Sequence, residues 1–271
     1  MSERDQVIHR ATGGPLEVIL WREPDGSISL TIDDYWQFIS RDEHVFHEVL
    51  VDPAMIAAAS TRRVLILGGG DGLVARNVLR YPGVEAVVLV DYDPQVTSMA
   101  LEVPELVELS EGSLHDPRVE LIHADALAFV ADPSLGGTRE PGGLFDVVIC
   151  DFPAPAHERY APLFEAPLYA QIAARCTREA PVSVQVSVDA PDFWPILAAV
   201  GESFPELEPR VANLAVDQGP GEDGDWASFI LASRAPLEAR RALAPQARFL
   251  AEHPPSSLVV VNRSGADFET R

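Results

Sequence analysis

Positive charge is what this chain has least of: 20 Lys and Arg stand against 42 Asp and Glu over 271 residues, a formal net charge of −22. Phosphate binding needs clustered basic side chains, so no nucleic-acid partner is expected and cations are the natural partners of such a field. The same acidity also serves solubility, because net charge reports on association and not on fold. Cysteine is scarce too. Cys150 and Cys176 have no metal-ligand spacing around them, which argues against a metal site, and they read as buried free thiols of a reducing compartment. No apolar run approaches the roughly 18 residues that a membrane span needs, and the stretch from Met1 to Asp5 lacks a basic start leading into an apolar segment. Neither a membrane span nor a secretory leader is expected, and the location reads as cytoplasmic. Internal repeats and low-complexity segments are also missing.

What is present is a regular alternation of apolar strand and helix patterns, with 47% hydrophobic residues, enough for a sizeable core. Leu16–Trp21 and Ser27–Ile32 are β-patterned and joined through Asp25 and Gly26, a hairpin turn pair. A helical period follows Glu43 (Val45, Phe46, Val49, Leu50), and a second stretch runs from Pro53 to Ala59. Strands are predicted at Val64–Leu67, Ala86–Val90, Val119–His123, Phe145–Cys150 and Val182–Ser187, with later ones near Leu207–Leu214 and Ala227–Ala232. Helices are predicted at Val74–Tyr81, Pro94–Leu101, Ala126–Val130, Leu168–Cys176 and Phe193–Ser203. The fold class is therefore α/β, a Rossmann-like doubly wound, mostly parallel sheet behind a small N-terminal β-hairpin element. The expected division is residues 1–50 for the β element and gate segment, 51–235 for the nucleoside-binding domain and 236–271 for a C-terminal tail. Residues 132–143, rich in Gly and Pro, read as a surface loop.

The strand at Val64 runs straight into Gly68, Gly69, Gly70, Asp71 and Gly72, and the next strand ends on Asp91 about twenty residues on. The glycines let backbone N–H groups approach a ligand, and an acid at the next strand end is placed to accept from ribose hydroxyls. Dehydrogenases and S-adenosylmethionine-dependent transferases share this pattern, and a run of glycines can also be only a tight turn. Asp71 inside the loop decides between the ligands: it would repel a pyrophosphate and favours a cationic nucleoside such as a sulfonium. Asp71, Asp91, Asp125 and Asp151 all follow strands, so one end of the sheet carries four carboxylates, which is costly unless a cationic or hydroxyl-rich ligand meets them. Asp93 reads as the cap of the helix opened by Pro94, and Asp125 has the same alternative role.

The segment from Gln37 through Arg41, Asp42, Glu43, His44, Phe46 and His47 to Glu48, followed by the glycine–aspartate loop, Asp91 to Asp93, Asp116 to Arg118, Asp125 and Asp151, resembles the spermidine synthase (polyamine aminopropyltransferase) family over roughly residues 15–235, as a divergent bacterial member. The resemblance implies a methyltransferase-like fold. Donor binding falls to Gln37, Gly68, Gly70, Asp71, Gly72, Asp91 and Asp125, with Asp125 on the adenine amino group. Asp151 holds the attacking amine and takes its proton. The implied donor is decarboxylated S-adenosylmethionine, the partner a small-molecule amine, with no metal required and a homodimer compatible. Phe46, His47, Phe152, Ala154 and Gln185 are placed on the acceptor side, with His44 a further candidate there. The family usually has a second aspartate at position 154 and a tyrosine at position 46, and its late pocket tyrosine has no match in residues 217–224. Putrescine is therefore expected to be a poor acceptor and a bulkier or less charged amine a better one. Two other readings stay open: methyl transfer from S-adenosylmethionine to a small amine, and a non-catalytic nucleoside-binding module. Glu48, Asp42 and Glu43 read as cap and surface charge, and Trp194 and Trp226 as packing residues.

Overall fold

The computed structural model describes residues 6–132, 134–135, 142–153, 158–186, 190–206, 209–215, 226–253 and 259–260. The chain opens with an antiparallel sheet of β1 (Gln6–Ala11), β2 (Val18–Arg22), β3 (Ile28–Ile32) and β4 (Tyr35–Ile39), paired in sequence order. The expected hairpin is β2–β3, where Gly26 takes φ 88° and the Asp25 carboxylate accepts from the Ser27 N–H at 2.9 Å. The element is larger than a hairpin for two local reasons. β1 buries neither face and so shows no alternation. The β3–β4 turn is built by Asp33 and Asp34, at φ 48° and 66°, so aspartates fill the left-handed positions where glycine or asparagine usually signals a two-residue turn.

The second sheet follows as α1 (Glu43–Ala57), β5 (Arg63–Gly68), α2 (Leu73–Leu79), β6 (Ala86–Asp91), α3 (Pro94–Glu102), α4 (Pro104–Leu109), β7 (Val119–His123), α5 (Ala126–Ala131), β8 (Val147–Asp151), α6 (Ala166–Arg175), β9 (Val182–Val186), α7 (Ala190–Ser203), β10 (Arg210–Ala215), β11 (Trp226–Ala232), α8 (Phe249–Glu252) and β12 (Val259–Val260). Its order is β12-β10-β11-β9-β8-β5-β6-β7. The strands from β9 to β7 in that order run parallel, and β11, β10 and β12 extend the edge in antiparallel fashion. Side chains alternate between two cores as the strand period requires: Val64 and Ile66 pack with α1 and α2, while Leu65 and Leu67 pack with α5 and α6. Cys150 and Cys176 are buried free thiols in the second core. No helix among the described residues is long and apolar enough to cross a membrane.

α1 departs from the sequence reading. One helix runs through Pro53 where two stretches were expected, because its whole second half is buried against β8, β9 and β11 and that packing outweighs the backbone hydrogen bond a proline forfeits. α1 also holds the tail: Glu48, fully buried, accepts from the N–H groups of Arg248 and Leu250 at 2.8 and 2.9 Å. α4 was not expected, since six residues after α3 give too short a period to read.

Asp52, also on α1, is buried and accepts from the Tyr81 hydroxyl at 2.7 Å. Burial, joined by the neighbouring Glu48 charge, outweighs that hydrogen bond and pushes its pKa up to about 7. A folded-state pKa above the unfolded one makes the group's contribution to stability fully present below about pH 4 and lost as pH rises through about 7. The shift corresponds to a difference of roughly 3–5 kcal/mol between the ends of that window. Asp52→Asn keeps an acceptor for Tyr81 and cannot ionise. Its melting temperature should exceed the wild type's at pH 8 and not at pH 4; equal gaps at both pH values would show that Asp52 does not titrate in this window.

Candidate active site

The chain leaves β5 toward β6 and β7 on one side of the sheet and returns as β8 and β9 on the other, so the strand order reverses between β5 and β8. Open α/β sheets bind ligands at that point, beyond the carboxyl ends of the strands. A cavity of about 530 Å³ lies there, a size suited to a nucleoside with a short substituent. The strand ends form its floor, and residues of the first sheet and of its β1–β2 connection, among them Leu16, Leu30, Ile32 and Trp36, form part of its wall.

The glycines are demanded by close approach. A Cβ on Gly68, which sits at φ 84°, would lie 1.9 Å from the Asp151 carbonyl oxygen, and one on Gly70 would lie 2.5 Å from Asp91 Oδ2. The Gly70 N–H instead donates to Asp91 Oδ2 at 2.9 Å, and the Asp93 N–H donates to Asp91 Oδ1 at 2.9 Å. Asp91 thus braces the glycine loop with Oδ2 and its own strand end with Oδ1, and still lines the cavity. Burial pushes its pKa up to about 6 against those two donors, with Asp71 and Asp93 adding to the rise. Asp93 caps α3, accepting from the Gln95 N–H at 2.9 Å. Gly72 belongs to the turn rather than to the cavity wall: it takes φ 86° as the residue before α2, against Ser113.

Asp71 and Asp151 are the electrostatic centre. Asp71 accepts from the Leu73 N–H at 2.9 Å and is buried. Burial raises both pKa values, joined by the charge of Glu43 at Asp71 and by that of Asp71 at Asp151, whose value reaches about 7, and His47 opposes the rise at each. His47 is 2% exposed and lines the cavity, its Nδ1 lying 2.9 Å from Glu43 Oε2 and 2.7 Å from the Glu43 carbonyl oxygen. Glu43 is not surface charge. It is buried and paired with Arg76, both guanidinium Nη atoms at 2.8 Å from its carboxylate. The pair comes from α1 and α2, 33 residues apart, which no local pattern announces.

The remaining candidates sort by location. Gln37 lines the cavity while its Nε2 donates to the Tyr35 carbonyl at 3.1 Å. Asp125 lines it and also caps α5, accepting from the Ala128 N–H at 2.9 Å. Phe46, Phe152 and Gln185 line the far side, where Phe46 packs edge-on against Phe229 at 5.0 Å and Phe152 against Phe164 at 6.1 Å. Ala154 lies outside the described residues, as does the 217–224 segment. His44 does not line the cavity; it is half-buried near Arg248, and burial with that charge lowers its pKa. Trp194 is 39% exposed and packs on Phe193. Tyr160 and Leu163 line the cavity without having been singled out in the sequence, as do Gly69 and Tyr92, which the motifs contain but to which no role of their own was given. Tyr92, directly after the ribose-type acid, carried the clearest signal of these.

Residues 43–213 match the family described as the spermine/spermidine synthase domain. Polyamine aminopropyltransferase 2 of Ralstonia nicotianae is 37% identical over 232 residues, covering 84% of this chain and 42% of the relative. Polyamine aminopropyltransferase of Oceanobacillus iheyensis is 34% identical over 236 residues, covering 87% and 43%. The chain therefore spans less than half the length of these curated relatives. Among solved structures, a spermidine synthase in complex with the transition-state analogue AdoDATO superposes with a TM-score of 0.72 at 23% identity, over 85% of this chain and 74% of that one. The spermidine synthase of Thermotoga maritima gives 0.70 at 24%, over 85% and 73%. With a sheet that reverses at β5, a glycine–aspartate loop beside Asp91, and a family match across residues 43–213, this chain belongs to the spermine/spermidine synthase family.

Proposed function

We propose that the protein transfers an aminopropyl group from decarboxylated S-adenosylmethionine to an amine. The observation that carries this reading is the carboxylate pair of buried Asp71 and half-buried Asp151 in the same cavity as Asp91. Two neighbouring acids that repel each other in one cavity call for cations, and this reaction brings a sulfonium and two amines to one place. Asp91 and Asp125 face the nucleoside, Asp71 the donor's terminal amine, and Asp151 the acceptor. The acceptor nitrogen attacks the carbon bonded to sulfur; the C–N bond forms as the C–S bond breaks, its electrons return to sulfur as a neutral thioether, and the proton lost by nitrogen passes to Asp151. Alignment of nitrogen, carbon and sulfur supplies most of the acceleration. On the acceptor side Phe46 and Phe152 offer apolar walls, which favours an amine bulkier or less charged than putrescine.

Asp71 also sets donor choice. A carboxylate on the donor about 4 Å from it would meet a repulsion of roughly 4 kcal/mol at the dielectric near a protein surface, and a fraction of that suffices for tenfold discrimination. Calorimetry should find wild-type protein preferring the decarboxylated donor over S-adenosylmethionine by about tenfold or more, with Asp71→Asn narrowing the gap, and turnover over a panel of amines should identify the acceptor. A wide preference for S-adenosylmethionine would replace this reading by methyl transfer. Failure of both donors and of methylthioadenosine to bind would remove the enzyme readings together.

A further inference from the structure

His47 has one nitrogen whose protonation the geometry dictates. Nδ1 faces two oxygens of Glu43, the carbonyl at 2.7 Å and carboxylate Oε2 at 2.9 Å, and neither can donate, so Nδ1 carries a hydrogen. The other ring nitrogen, Nε2, is left for the cavity that the residue lines. Glu43 in turn is fixed from beyond: Arg76 grips its carboxylate with both Nη atoms at 2.8 Å and spends a further donor on the Leu109 carbonyl at 3.0 Å, so α1, α2 and the end of α4 are tied at one buried point. A carboxylate that orients a histidine through Nδ1 fixes which nitrogen acts, a device known wherever an imidazole must present one face to chemistry.

We infer that Glu43 is a positioning residue: with Arg76 it holds His47 turned so that Nε2 faces the amine-binding part of the cavity, beside Asp71 and Asp151. The inference rests on the proposed role of that cavity in binding amines. The groups that act on the His47 ring are Glu43 on its own helix, Asp71 from the glycine loop and Asp151 from β8. Burial works against a charged ring, but the Glu43 hydrogen bond and the three carboxylates outweigh it and raise its pKa. Glu43 stays ionised, because hydrogen bonds from His47 and Arg76 overcome the burial that would raise its pKa and bring it down to about 2. A resident imidazolium offsets one of the two cavity charges. That lets Asp151 remain ionised, and so able to take the amine's proton, at a pH where two bare acids would share one.

The test reads the ring directly. In full-length protein with ¹⁵N-labelled histidine, the wild-type His47 ring should show a protonated Nδ1 and titrate above the ordinary value of about 6.5. Glu43→Gln should lower that titration by about one unit or more. In the same variant the acidic limb of kcat/KM for the amine should move to higher pH, since loss of a neighbouring positive charge raises Asp151. Turnover should fall about tenfold to a hundredfold while methylthioadenosine affinity stays near wild type. A wild-type ring that titrates at or below the ordinary value overturns the inference without any variant, as does a folded Glu43→Gln protein whose ring titration and pH limb match the wild type. The ring titration needs no turnover, so a failure of the proposed reaction leaves this measurement able to decide on its own.

Discussion

Asp151→Asn is expected to lower kcat by about 10²–10⁴-fold, the range lost with a general base, while methylthioadenosine still binds. The side chain lines the cavity, and Asn has its shape without its basicity. The wild type should also carry a signature in pH. Burial, with the charges of Asp71 and Asp91, lifts Asp151 to about 7 against the pull of His47, so kcat/KM for the free enzyme should decline as pH falls through about 7. The same replacement should make the ligand-free protein more stable at pH 8, because it removes a half-buried charge that repels Asp71, and this gain should disappear at pH 4, where the wild-type acid is protonated. Steady-state rates, calorimetry with methylthioadenosine and melting curves at both pH values check the three parts. A folded variant with near-normal kcat would remove Asp151 from the chemistry.

Much of the glycine-loop side of the cavity was legible because it is local. A period-2 strand, a glycine cluster and an acid at the next strand end lie within about thirty residues, and each has one reason to be there: alternation fills two cores, glycine admits Asp151 and Asp91, and Asp91 meets the loop N–H groups. Glu43 was illegible for the opposite reason. An acid in the first turn of a helix is ordinarily there for the helix dipole, and only Arg76, which the fold brings to it from α2, makes it half of a buried ion pair. The tail from 236 on was equally opaque, since its register against α1 is set by Glu48 accepting two backbone N–H groups some two hundred residues away. β4 was hidden by a turn of two aspartates, whose tolerance of left-handed backbone is weaker than glycine's and leaves less trace in sequence.

These tertiary contacts also change what the second large effect means. On sequence alone, Asp91→Ala deletes a ligand contact at a strand end and nothing else. In the fold it also strips acceptors from the Gly70 and Asp93 N–H groups, each 2.9 Å from the carboxylate. Losing those two bonds costs about 1–3 kcal/mol in total, but Asp91 is itself held at a pKa of about 6, a penalty of roughly 3 kcal/mol at neutral pH that alanine relieves. The two terms are of similar size, so the variant should fold with a melting temperature near the wild type's. Nucleoside binding has no such compensation. Hydrogen bonds from two ribose hydroxyls to a charged acceptor are worth about 1.5–3 kcal/mol each, so methylthioadenosine affinity should fall by about a hundredfold or more. Calorimetry beside a melting curve separates the outcomes: an intact fold with lost affinity supports the ribose assignment, and an intact fold with unchanged affinity shows that Asp91 serves only to brace the glycine loop.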